Sequence, residues 1–128
     1  MIELSTAFAE QVAAPPLAPV EQPIDVTHLA RMTLGDSSLE REVLQLFDRQ
    51  AEMLLSRMTE TNPAATAGHA HTLKGSSSGI GAWRVARAAE AVECAVTSGS
   101  SDIAAAIGCL GTTIGEARAV IAELLRGH

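Results

Sequence analysis

The stretch "NPAATAGHAHTLKGSSSGIGA", Asn62 to Ala82, decides how this chain is read. Asn62 followed by Pro63 is a helix start. An Asn side chain accepts from a free amide of the first turn, and Pro lacks the N–H that this turn leaves unpaired. On a helix turning about 100° per residue, Thr66, Leu73 and Ile80 point to one side, towards a core. Ala67, Gly68, His71, Lys74, Gly75 and Ser78 share the other side. That second face is otherwise small, so His71 is predicted to stand on it as an accessible imidazole. Gly68 and Gly75 each cost about 1 kcal/mol in a helix interior relative to Ala. Their place beside His71 makes sense if another surface approaches the ring or a group is attached to it. Gly79 and Gly81 are predicted to break or loosen the chain.

Working outward, "DVTHLARMTLG" reads as a short leading helix with Val26, Leu29 and Met32 or Thr33 inward and Gly35 as its stop. Asp36 or Ser37 caps a long helix whose Leu39, Val43, Leu46, Phe47, Gln50, Leu54 and Met58 follow an i, i+3, i+4, i+7 pattern. Val85, Ala88, Ala89, Val92 and Val96 mark a fourth helix closed by "SGSS". Ser100 or Ser101 caps a fifth, with Ile103, Ile107, Leu110, Ile114, Ala117, Ile121 and Leu124 on one stripe. Strand formers are scarce, with two Phe, one Trp and no Tyr. The expected fold class is all-α, an antiparallel four-helix bundle with a short leading helix and an N-terminal tail. Residues 1–23 are read as a flexible Pro-rich tail. A short amphipathic turn, Ile2 to Val12, precedes "AAPPLAPVEQP", whose prolines forbid a continuous helix. The bundle domain is 24–128.

The formal net charge of −6 opposes generic binding to nucleic acid, which draws on basic residues to neutralise phosphates. From Thr61 to Ala89 there is no Asp or Glu, yet Lys74, the only lysine, lies there with Arg84 and Arg87. With all 15 acids and the other six basic residues outside it, the window carries +3 and the remainder −9. A local positive patch on a negative body is expected. Cys94 and Cys109 are too few for a disulfide framework and read as small apolar fillers. No basic, apolar leader and no uninterrupted membrane-length apolar run is seen, so a cytoplasmic protein with no membrane contact is expected. Gly108, Gly111 and Gly115 form a row that marks close helix approach or, less readily, a dimer seam; a monomer is expected.

A neutral imidazole, with a reference pKa of about 6.5, is a competent nucleophile near neutral pH without a separate base. Lys74, one turn from His71, supplies a compact cation for a negative group on the ring. The acid-free window implies no like-charge repulsion and no base to activate water. Together these point to phosphoryl transfer through a long-lived phosphohistidine. His69 lies about 160° round the helix from His71, so the two share no metal and no metal site is predicted. His69 reads as a core-edge residue, and His28 and His128 as solvent-facing. "KGSSSG" has the wrong order for a nucleotide-binding loop. Arg84 and Arg87 are candidates for a docking surface, and Trp83 is left open between core and docking roles.

His71-Thr72-Leu73-Lys74-Gly75-Ser76-Ser77, followed by Gly81-Ala82 and a helix containing "AAEAVE", resembles the signature of the histidine-containing phosphotransfer (HPt) domains of bacterial phosphorelays. The likeness extends more loosely from about Ile24 to Leu125, and the tail has no counterpart. It implies that His71 receives a phosphoryl group from the phospho-aspartate of a receiver domain and relays it to another. It implies that Lys74 stabilises the phosphate, that Gly75 leaves room for docking, and that the binding face takes in Gly68, Ser78, Arg84 and Arg87. The partners it implies are response-regulator receivers and hybrid histidine kinases. No cofactor is bound by this chain on that reading, since Mg2+ belongs to the receiver. The protein would be a phosphocarrier without ATP-dependent kinase activity. The alternatives are a phosphoacceptor domain of a chemotaxis-type histidine kinase, whose substrate domain resembles the same motif, or a non-phosphorylated helical adaptor.

Overall fold

The first three helices each begin where a short polar side chain takes up a free amide. The computed structural model describes residues 22–60 and 62–127, so the tail expected over 1–23 lies outside the described residues except for Gln22 and Pro23, as does His128. The described chain forms α1 (Val26–Met32), α2 (Ser37–Met58), α3 (Pro63–Ile80), α4 (Trp83–Thr97) and α5 (Ile103–Gly127), with no strand among the described residues. Asp25, Asp36 and Asn62 accept from the amides of His28, Leu39 and Ala65, capping α1, α2 and α3. Pro63 occupies the first turn of α3 as expected.

The helices pack as neighbours in chain order, α2 on α3, α3 on α4 and α4 on α5, and α2 also meets α5. Arg118 of α5 donates to Asp48 Oδ1 at 2.7 Å and lies 3.4 Å from Glu52, both on α2. The Asp48 carboxylate raises the Arg118 pKa above its ordinary value, against a smaller opposing effect of burial. Arg41 of α2 donates to the Leu125 carbonyl at 2.9 Å, satisfying an acceptor near the end of α5. In the glycine row only Gly111 approaches another helix: a Cβ there would lie 3.7 Å from Leu55 Cδ2, whereas Gly108 and Gly115 face open space. By length and composition alone α5 is apolar enough to cross a membrane, but its Leu110, Ile114, Ala117 and Ile121 are buried in the core of this chain.

Several expectations change, and in α1 and its C-cap only Leu29 and Thr33 of the predicted inward set are buried, Val26 and Met32 being exposed. The buried face of α2 is Leu44, Phe47, Ala51, Leu54 and Met58, which leaves Leu39, Leu46 and Met53 exposed. Both sets have helical spacing, and the inward one is the set that packs into the core shared with α3, α4 and α5, with Arg41, Asp48 and Glu52 tying α2 to α5 beside it. Next, α3 runs through Gly79 and ends only at Gly81, whose φ of +81° is left-handed. There the amide of Ala82 donates to the Ser77 carbonyl at 2.8 Å and the chain reverses into α4. Finally, Cys94 and Cys109 are exposed rather than packed.

The leading helix is held to the α3–α4 turn by one residue. The Asp25 amide donates to the Gly81 carbonyl at 2.9 Å, and the Asp25 carboxylate accepts from Trp83 Nε1 at 3.0 Å. The His28 ring meets Trp83 edge-on at 4.8 Å, so His28 is half-buried rather than solvent-facing, and Trp83 is a structural anchor. The Trp83 N–H, and next the His28 amide, hold the Asp25 carboxyl below the usual carboxylate range.

Gly81→Ala should destabilise the fold by about 2 kcal/mol in urea unfolding, because an L residue is strained at that φ and its Cβ would sit 2.9 Å from the Asp25 carbonyl oxygen. Gly79→Ala, helical and with nothing within 4 Å, should be neutral or stabilising by up to about 1 kcal/mol. The Asp25 contribution is fully present above the ordinary carboxylate pKa and is lost as pH falls through the lowered folded value. Fluorescence of the single tryptophan should report this acid-dependent loosening, and Asp25→Asn should abolish it.

Candidate functional site

The outer face of α3 is built by subtraction. Thr66, Ala70, Leu73, Ser77 and Ile80 are buried on its inner side. Thr66 donates to the Met58 carbonyl and Ser77 to the Leu73 carbonyl, so the inward polar groups are satisfied within the protein. What remains outside is His71, with Gly68, Thr72 and Gly75 exposed around it and Lys74 and Ser78 half-buried. The His71 side chain is 70% exposed. No atom lies within 4 Å of where a Cβ at Gly68 or Gly75 would be, so these glycines leave open space rather than a close internal approach. His69 is half-buried, at the core edge as expected.

The chain reversal at Gly81 lays α4 alongside α3 in the opposite sense, and two rungs join them. His71 Nδ1 is 3.0 Å from Glu93 Oε2, and Lys74 Nζ donates to Glu90 Oε2 at 3.3 Å. This overturns the expectation of a site free of carboxylates. The acid-free window ends one residue before Glu90, and folding brings the next two acids back onto His71 and Lys74. The positive patch is correspondingly neutralised: Lys74 pairs with Glu90, and Arg84 with Glu116 of α5 at 2.9 Å. Arg84 is thereby held towards α5 and away from His71. Arg87 is exposed on α4, one turn from Glu90 on the same side, and is the better placed of the two arginines.

The Glu93 contact has a definite chemical consequence. An ionised carboxylate only accepts, so a hydrogen bond to Nδ1 puts the ring proton there and leaves the Nε2 lone pair free. Nε2 is then the nucleophilic atom of an exposed imidazole, with an ammonium group one helical turn away. Glu93 was missed in the sequence because its distance along the chain hides its contact. The available signal was near-symmetry about Gly81, from which His71 and Glu93 are almost equally far.

His71 and Lys74 thus lie together on the outer face of α3, in a helical hairpin with α4. The family model of the Hpt domain matches residues 42–125, about two-thirds of the chain. The chain belongs to the Hpt domain family. That match begins within α2 and ends near the close of α5, so it takes in the whole of the His71 face and both rungs to α4. Membership places the protein among domains that act in phosphotransfer and interact with receiver domains in phosphorelays. Neither a curated protein nor a solved structure matches the chain.

Because the usual neutral imidazole carries its proton on Nε2, 15N NMR of the His71 ring should show the Nδ1–H tautomer in this protein. Glu93→Ala should shift the ring to a mixture dominated by Nε2–H, while His69 keeps its own pattern.

Proposed function

We propose that the protein is a histidine phosphocarrier that takes a phosphoryl group from the phospho-aspartate of a receiver domain onto His71 Nε2 and passes it to another receiver. The reading rests above all on the exposed His71, held by Glu93 so that Nε2 faces outward. In the forward step the Nε2 lone pair forms the N–P bond, and the P–O bond to the aspartyl carboxylate breaks with its electron pair staying on that carboxylate. Nδ1 keeps its proton throughout, and Glu93 balances the positive charge of the phosphorylated ring. In the onward step a carboxylate oxygen of the second receiver attacks phosphorus and the electrons of the N–P bond return to Nε2. No proton has to move in either direction, so no separate general base is required. Lys74 is the cation for the phosphoryl oxygens, and Mg2+ belongs to the receiver.

The architecture fits this use as an antiparallel four-helix bundle with a short leading helix, presenting α3 outward. The exposed Leu39, Leu46 and Met53 lie on the flank of α2 turned away from its ion pair with α5. Two shallow grooves lie there, one lined by Leu39, Val43 and Leu46 among others, and one by Leu46, Arg49, Gln50 and Met53. We assign them, with the open face at Gly68 and Gly75, to the docking of a receiver. A monomer in the cytoplasm, serving response regulators and hybrid kinases, is the setting this function requires.

Incubation with a phosphorylated receiver and Mg2+ should move label to an acid-labile, base-stable phosphohistidine. His71→Gln should abolish it and His69→Ala should leave it intact, while Lys74→Ala should slow transfer by about fivefold, as loss of one exposed charge contact worth about 1 kcal/mol does. The double variant Leu46→Asp/Met53→Asp should weaken transfer from the receiver at least about tenfold, since docking would bury unpaired carboxylates in an apolar contact. The same variant should load normally from phosphoramidate, a donor too small to need docking. Label acquired from ATP by the isolated protein would count against the phosphocarrier reading and for a kinase.

A further inference from the structure

Lys74, the cation one helical turn from His71, is already occupied in the structure. Lys74 Nζ sits 3.3 Å from Glu90 Oε2, and both side chains are substantially exposed. Glu90 has no part in orienting the imidazole, which Glu93 does one turn further along α4. Nor does the fold need the pair, since an ion pair this exposed contributes little to stability. We propose that Glu90 is a positioning residue that competes with the phosphoryl group for Lys74, and so keeps phosphorylated His71 from becoming a trap. The proposal rests on the phosphocarrier reading above and names what sets the strength of its phosphoryl bond.

In the free protein Lys74 bonds to Glu90. A phosphoryl group arriving on Nε2 carries up to two negative charges and three strong acceptor oxygens, against one charge and two oxygens on Glu90. Lys74 therefore moves to the phosphoryl group, and Glu90 is left in water with its own charge facing the new dianion. Each visit of the phosphoryl group breaks one ion pair to make another. The net gain is only the difference between the two. With Glu90 absent, the whole Lys74 interaction would go to retaining the phosphoryl group. Because the pair is exposed, the difference is a factor of a few rather than orders of magnitude. That scale suits a carrier that must release what it accepts.

The test uses the full chain and potassium phosphoramidate, whose P–N bond breaks as His71 Nε2 forms its own, with ammonia leaving. The rates of loading and of loss are measured on the wild type, Glu90→Gln, Lys74→Ala and the double variant, and their ratio is compared. Glu90→Gln is expected to raise the loading-to-loss ratio about two- to fivefold, with an unchanged unfolding midpoint. In the Lys74→Ala background the same substitution should give less than half that gain, because the lysine through which it acts is gone. No gain, a loss, or an equal gain in both backgrounds would overturn the proposal; the last would make Glu90 merely a repulsive charge. A wild type that takes no label on His71 would defeat the phosphocarrier reading itself, and is distinguishable from a loaded wild type indifferent to Glu90.

Discussion

The left-handed Gly81 is the constraint on which the site depends. Its φ of +81° reverses the chain within two residues, and its missing Cβ lets the Asp25 carbonyl approach. With so short a connection, α4 can lie along α3 in only one register. That register fixes which residues of α4 meet His71 and Lys74. Buried Ala70, Ala82 and Ala89 keep the two helices close enough for a glutamate to span to a histidine at 3.0 Å. Asp25 adds the third strut: its backbone amide holds Gly81, and its carboxylate holds the first residue of α4, Trp83. The chemistry on the outer face is thus set by a turn at the end of the hairpin, far from the atoms that react.

How much of this was legible in the sequence varies by level. The helices α2 and α3 were readable because their caps are local: Asp36, Asn62 and Pro63 act within one turn. His71, Lys74 and Gly75 were readable as a set because all three sit on one helix, where spacing is geometry. The inward face of α2 was not. Leu39 and Leu46 satisfy the same periodicity as Leu44, Leu54 and the small, uninformative Ala51. The inward stripe is the one that packs in the core shared with α3, α4 and α5, and the ties that accompany it, Arg118 to Asp48 and Arg41 to Leu125, span seventy residues or more of chain. His28 was misplaced for a related reason. Its partner Trp83 is 55 positions distant, and no local pattern announces an edge-on ring contact.

The charge of the site shows most clearly why a one-dimensional count fails. A window without acids suggested a positive, unopposed His71 and Lys74, yet the next residue along begins the turn of α4 that returns to cover them. Antiparallel helices convert sequence distance from the turn into spatial adjacency. A charge census around a helical motif therefore has to be taken symmetrically about the turn rather than along the chain. On that count Glu90 and Glu93 belong to the site as much as Lys74 does.

The energies involved explain why such an arrangement is useful. Leu39, Leu46 and Met53 are exposed although burying each would gain roughly 1.5–3 kcal/mol, so the fold forgoes apolar burial along α2. The Lys74–Glu90 pair contributes on the order of 1 kcal/mol or less. The stronger interactions are kept elsewhere: the apolar core and the Asp25–Trp83 clamp hold the frame. The weak ones are gathered on the outer face of α3 and its flanks, where a partner must come and go and a covalent group must be held without being kept. A surface built only of strong interactions would bind its partner or its phosphoryl group too well to relay either, so the same marginality that makes these contacts poor stabilisers makes them suitable for a reversible carrier.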